Sequence, residues 1–165
     1  MSRNPVFKGI AQKGKSTIDW FFGFKIHLII NECGGLLAVK FTQANVDDRS
    51  LVLEMAKNIF GKLYADKGYI SKDLTENLLK SGIHLITGLK KNMKNKLCTL
   101  ADKILLRKRS IIETVNDPLK NSANIEHSRH RSHLNFRVNL LSALIAYTHQ
   151  PKKPKISGVT RTVFA

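Results

Sequence analysis

Glu113 stands between two cations in the stretch RKRSIIETVNDPLK, residues 107–120. Arg109 lies four positions before it and Lys120 seven after it. With Leu106, these residues share one face of a helix, because spacings of three, four and seven return to the same side. A carboxylate flanked by cations suits a site where Glu113 holds a metal ion and Arg109 and Lys120 hold phosphate oxygens. The plain alternative is a solvated helix with one Arg/Glu pair, worth about 0.3–0.5 kcal/mol. A second acid shifts the balance. Asp66, in YADKGY, follows a short apolar run and reads as a strand-end carboxylate; Asp after a strand is also an ordinary turn residue.

Those residues need a scaffold, and 165 residues are enough for one domain with a real core. FFGFKIHLIIN alternates, with Phe22, Phe24, Ile26, Leu28 and Ile30 on one face and Lys25 and His27 on the other. It reads as a strand. The Gly34-Gly35 turn and LLAVKFTQ complete a hairpin. Asp47 or Asp48 caps a helix carrying Leu51, Met55 and Ile59. KLYADKGY is a third strand ending at Asp66, Ser71 caps a helix carrying Leu74, Leu78 and Leu79, and IHLITGL is a fourth strand. Strand, helix, strand is the pattern of a parallel βαβ unit. Thr99 and Asp102 open the long helix that carries Glu113. Pro118 removes a backbone donor, so that helix kinks or ends near Asp117, before Lys120. Ser132 caps a last helix reaching about Tyr147. Residues 1–17 read as a basic lead-in without periodicity. Residues 1–150 form the domain, and 151–165 read as a loose basic tail.

A net charge of +16 points to a polyanionic partner, most simply nucleic acid. Lys90, Lys91, Lys94 and Lys96 form a basic loop ahead of the long helix, and Arg129 and Arg131 lie in EHSRHRS. Each is a candidate phosphate contact, with a solvated loop as the alternative. His127, His130 and His133 lack a cysteine or acid to complete a metal set. Cys33 and Cys98 have no disulfide or metal spacing, so a reducing cytoplasm is expected. No apolar run of about 18 residues exists, so no membrane span is expected.

FFGFKIHLIIN, FTQANVDDR, YADKGY, the Arg109–Glu113–Lys120 spacing and EHSRHRS, in this order, resemble the C-terminal part of an insertion-sequence DDE transposase. The resemblance covers nearly all of residues 5–150. It implies an α/β, ribonuclease H-like fold, a mixed sheet flanked by helices, and DNA cleavage and strand transfer with two Mg²⁺ or Mn²⁺ ions. It matches Asp66 to the family's second catalytic aspartate and Glu113 to its glutamate. Leu106 stands where the family signature has tyrosine. The family's first aspartate lies on an opening strand that has no match here. Asp19 reads as a loop residue and Asp47 and Asp48 as helix caps. The expectation is therefore an inactive fragment with weak or absent metal binding. A missing central strand would leave open edges, to be covered by the upstream segment or by a homodimer. The alternative is a non-catalytic basic nucleic-acid binder, either a ribosomal-type protein or a decayed transposase retained on DNA.

Overall fold

The computed structural model describes residues 5–15, 19–89, 98–122, 125, 130–158 and 162–165. Lys90, Lys91, Lys94, Lys96, His127 and Arg129 lie outside them. The architecture is mixed α/β: a six-stranded mixed sheet with helices on both faces.

The alternating stretch forms β2 (Trp20–Asn31), which pairs antiparallel with β3 (Leu36–Gln43) from Phe24 to Ile30. Gly34 takes the positive φ of 67° that the connecting turn needs. β1 (Gln12–Lys15) pairs antiparallel with the start of β2. Part of the lead-in, which has no periodicity of its own, is thus a strand. Phe7 and Ala11 are buried in a small cluster with Phe136, against Phe22, Phe24 and Phe41. The unit β4 (Gly61–Ala65), α2 (Lys72–Lys80), β5 (Ile83–Thr87) has the expected parallel pairing, Leu63 opposite Leu85. Asp47 caps α1 (Asp48–Met55), and Ser71 caps α2.

Lys25 and His27 share the second face of β2, as alternation requires, and both reach Asp48; that face is covered too, His27 being buried with its Nε2 2.8 Å from the Thr42 hydroxyl. One expectation fails because both faces of a short strand are buried. The C-terminal residues are not a loose tail. β6 (Thr162–Phe164) runs between β2 and β4, antiparallel to the first and parallel to the second. The sheet order β1-β2-β6-β4-β5, with β3 also on β2, makes this three-residue strand the join between its two halves. Val163 enters one core with Ile29, Leu63, Leu74, Leu78 and Ile83. Phe164 enters the other with Leu28, Ile30, Tyr64, Val115 and Leu119. Glu32 holds the approach, its backbone carbonyl accepting from Ile156 N and its carboxylate from Thr162 N. The slot between β2 and β4 is therefore filled rather than open.

The long helix is two helices, α3 (Leu100–Lys108) and α4 (Ile111–Asp117), followed by a π-helical turn, Pro118–Ser122. Arg109 and Ser110 keep right-handed helical angles, but the bonds tighten there: Glu113 N donates to Ser110 O at 3.0 Å. As Pro118 required, the α-helix ends at Asp117, yet Leu119 beyond it is buried. α5 (His133–Thr148) is capped by Ser132 and packs Ala143 and Tyr147 against α4 and the sheet.

Phe164 is fully buried where the two halves of the sheet meet. Phe164→Ala is expected to cost about 3–5 kcal/mol, read as a shifted midpoint in urea unfolding. A loss under about 1 kcal/mol would show that β6 does not hold the halves together.

Candidate active site

Alternation along β4 sends Lys62, Tyr64 and the following Asp66 to one side of the sheet, toward α3. There Asp102 meets the first two. Its Oδ1 accepts from Lys62 Nζ at 2.7 Å and from the Tyr64 hydroxyl at 2.6 Å, and Oδ2 accepts from the Thr99 hydroxyl at 2.7 Å. Thr99 in turn accepts from Asp102 N, the cap expected of this pair. Burial pushes the Asp102 carboxyl up, but these donors and the Lys62 charge outweigh it and hold it at about 2. Burial, reinforced by the bond to Asp102, pushes the Tyr64 hydroxyl far above its ordinary value. Sequence reading treated Asp102 only as a helix-opening residue. Lys62 and Tyr64 two apart on a strand, opposite a capped helix, was the signal available.

This clasp sets the register between α3 and β4. From Asp102 to Arg109 is seven residues of helix, a rise of about 10 Å. From the middle of the Lys62–Tyr64 pair to Asp66 is three residues of strand, also about 10 Å. α3 and β4 therefore run alongside one another and bring Arg109 to the strand's end. Arg109 Nη1 lies 3.4 Å from Asp66 Oδ1. The same oxygen accepts from Lys67 N at 2.6 Å, so Asp66 caps the turn Lys67–Tyr69 as a strand-end Asp does. Neither contact uses Oδ2.

Glu113 is exposed in the first turn of α4, one turn beyond Arg109 and a further rise of about 6 Å. Helical side chains lean toward the helix N-terminus, which directs Glu113 back toward Arg109. Lys120 lies in the π-helical turn, exposed, and is not carried by the helix of Glu113. Arg131 is exposed in the bend before α5. Asp47 and Asp48 are bound to cations, Arg49 at 2.6 Å and Lys25 at 3.0 Å. Burial, with the charges of Asp48, Asp66 and Asp47, pushes the Tyr69 hydroxyl up to about 12. Among the described residues, no cluster of three or more His, Cys, Asp or Glu side chains has the arrangement of a metal cage.

A family model described as "Transposase DDE domain" matches residues 1–133. The chain belongs to the DDE transposase family. That membership makes DNA transposition its functional context and DNA its partner in general. No curated protein and no solved structure matched it. Among the described residues, no helix is long and apolar enough to cross a membrane.

The Asp102 clasp of this transposase domain has a pH signature. Its carboxyl titrates near 3.8 when unfolded and near 2 when folded. The protonated acid therefore favours the unfolded chain. The stabilisation is present above about pH 4 and is lost as pH falls toward 2, amounting to about 2 kcal/mol. Asp102→Asn should lower stability at neutral pH and flatten this stretch of the acid-unfolding curve. An unchanged curve would show that Asp102 is not the group responsible.

Proposed function

We propose that the domain serves metal-dependent DNA cleavage and strand transfer at insertion-sequence ends, in a ribonuclease H-like arrangement. The observation that carries this reading is the Asp66–Arg109 contact at the end of β4, with Glu113 one helical turn on. The antiparallel group β1-β2-β3 beside the parallel pair β4-β5 supports the fold assignment. β6 then occupies the inner place expected of the family's opening strand, parallel to β4.

In this reading Asp66 and Glu113 are the metal-binding acids, and their donors fit a hard cation. Both are carboxylates with solvent access, and Asp66 keeps Oδ2 outside its two contacts. Mg²⁺ or Mn²⁺ there, as a pair in a complete site, supplies activation of a water or DNA hydroxyl and stabilisation of the leaving oxygen. Arg109 orients the Asp66 carboxylate and presents its remaining donors to a phosphate. Lys90, Lys91, Lys94, Arg129, Arg131 and, from its own turn, Lys120 supply phosphate contacts without reading sequence. Two matched acids rather than three leave metal binding weak, so residues 1–165 bind DNA without cutting it. A third acid comes from another segment or a second copy. The cytoplasm is the compartment proposed, since both cysteines are free thiols.

Fe²⁺ substituted for Mg²⁺, with ascorbate and peroxide, cuts a polypeptide backbone near its ligands. Cuts are expected beside residues 66 and 113, competed by Mg²⁺ and lost in Asp66→Asn and Glu113→Gln. Cuts elsewhere, indifferent to both variants, would sink the metal-site assignment. A Mn²⁺-dependent nick in supercoiled DNA that disappears in Glu113→Ala would overturn the claim that these residues are inactive alone. DNA affinity that ignores Mg²⁺ and Glu113→Ala, but falls steeply with salt, would favour the non-catalytic binder.

A further inference from the structure

α5 is apolar on two opposite sides. Phe136, Leu140, Ala143 and Tyr147 are buried against the domain. Offset from them by two positions, Leu134, Val138, Leu141 and Ile145 are 60%, 54%, 58% and 58% exposed. Both sets repeat at spacings of four, three and four, the seam of paired helices. A helix apolar all round is ordinarily an interior helix, and here one side faces water.

We propose that this outer stripe is a self-association surface, and that its occupant is α5 of a second copy, packed antiparallel about a two-fold axis. The inference is independent of the catalytic reading. Three features select a second copy. The first is charge. With 28 Lys and Arg and a net charge of +16, copies of this chain repel across most faces. The sixteen residues of α5 hold one of those cations, Arg137, and no acid, so two α5 faces meet at little electrostatic cost. The second is self-complementarity. A two-fold axis between Asn139 and Leu140 sets Leu134 against Ile145 and Val138 against Leu141, and each contact occurs twice. The third is the flanks. The same axis places Arg137 across from Ser142, not from its own copy, and Asn135 and Ala146 are uncharged. The area is modest. Four side chains present a few hundred Å² per copy, below the roughly 800 Å² of a standard interface, so the dimer is weak and concentration-dependent.

Sedimentation velocity of the full chain, free of DNA and in salt that screens the net charge, tests this across the micromolar range. A monomer–dimer equilibrium is expected, with association weakened roughly tenfold or more in Leu141→Lys and in Val138→Lys. Both sites are exposed, so melting temperatures should stay close to wild type. If one variant melts early, the other carries the test. In a Cys33→Ser, Cys98→Ser background, Val138→Cys chains should cross-link to Leu141→Cys chains faster than either does to itself, which only the antiparallel arrangement predicts. A wild-type chain that remains monomeric throughout, or a dimer indifferent to both lysine variants, overturns the proposal. The first outcome would assign the stripe to a different polypeptide.

Discussion

The parallel pairing of β6 with β4 is the constraint on which the rest of this molecule rests. β2 and β4 do not pair with each other; each pairs with β6. Three residues therefore fix the position of the βαβ half relative to the hairpin half. They do so by alternation: Val163 fills the core under α1 and α2, and Phe164 fills the core under α4 and α5. Ala165 N extends the register by donating to Tyr64 O at 2.9 Å. The bond lands two residues before Asp66. The acid at the strand's end is thus placed by a strand from the far end of the chain.

A second, stronger interaction then sets what faces that acid. The Asp66–Arg109 pair has side chains 58% and 33% exposed, and such pairs contribute about 0–1 kcal/mol. It does not hold α3 in place. Asp102 does, through three short hydrogen bonds to its own buried carboxylate, where removal of a partner leaves a costly orphan. The two carboxylates differ in setting: Asp102, on α3, meets β4 at Lys62 and Tyr64, and Asp66 stands at the end of that strand, about 10 Å further along. The buried one is saturated with donors and held at a low pKa. The exposed one carries two contacts on a single oxygen, a state from which exchange of Arg109 for another cation costs little.

The parts of this arrangement that were legible in the sequence are those written in local periodicity or local capping. The β2–β3 hairpin shows its alternation, and α1, α2, α3 and α5 carry Asp47, Ser71, Thr99 and Ser132 at their caps. Asp66 and Arg109 were found from type and spacing, and their meeting follows from element lengths. Other features were not legible because their cause is distant. Thr162–Phe164 is too short for a period, and nothing local says that both faces will be covered. His27 looks like a solvent-side residue until Thr42 and Asp48 are beside it. β1, QKGK, is polar, and its place follows from Gly14: an added Cβ there would meet Ala44 O at 2.4 Å. The seven-residue spacings Ile104 to Ile111 and Leu105 to Ile112 fit one unbroken helix and hid the tightening at Arg109 and Ser110, where helical angles persist.

The distribution of negative charge ties the buried clasp to the exposed acids. In a chain with 12 acids against 28 Lys and Arg, cations outnumber carboxylates by more than two to one. Asp47, Asp48, Glu54, Glu76 and Asp102 have each taken one: Arg49, Lys25, Lys40, Lys72 and Lys62. Glu113 has not, although Arg109 is one turn away on nearly the same face; among the described residues it enters no ion pair. The reason is competition. Arg109 is drawn across to Asp66 by the register that Asp102 imposes, so it is withdrawn from its helical neighbour. The same geometry that supplies Asp66 with a loosely held cation leaves Glu113 without one. Asp66 thus keeps one long contact to Arg109, and Glu113, four residues along the chain from that arginine, is left exposed, in a molecule with a large surplus of positive charge. In the function proposed above, these are the two carboxylates that a divalent cation and the phosphates it brings would meet.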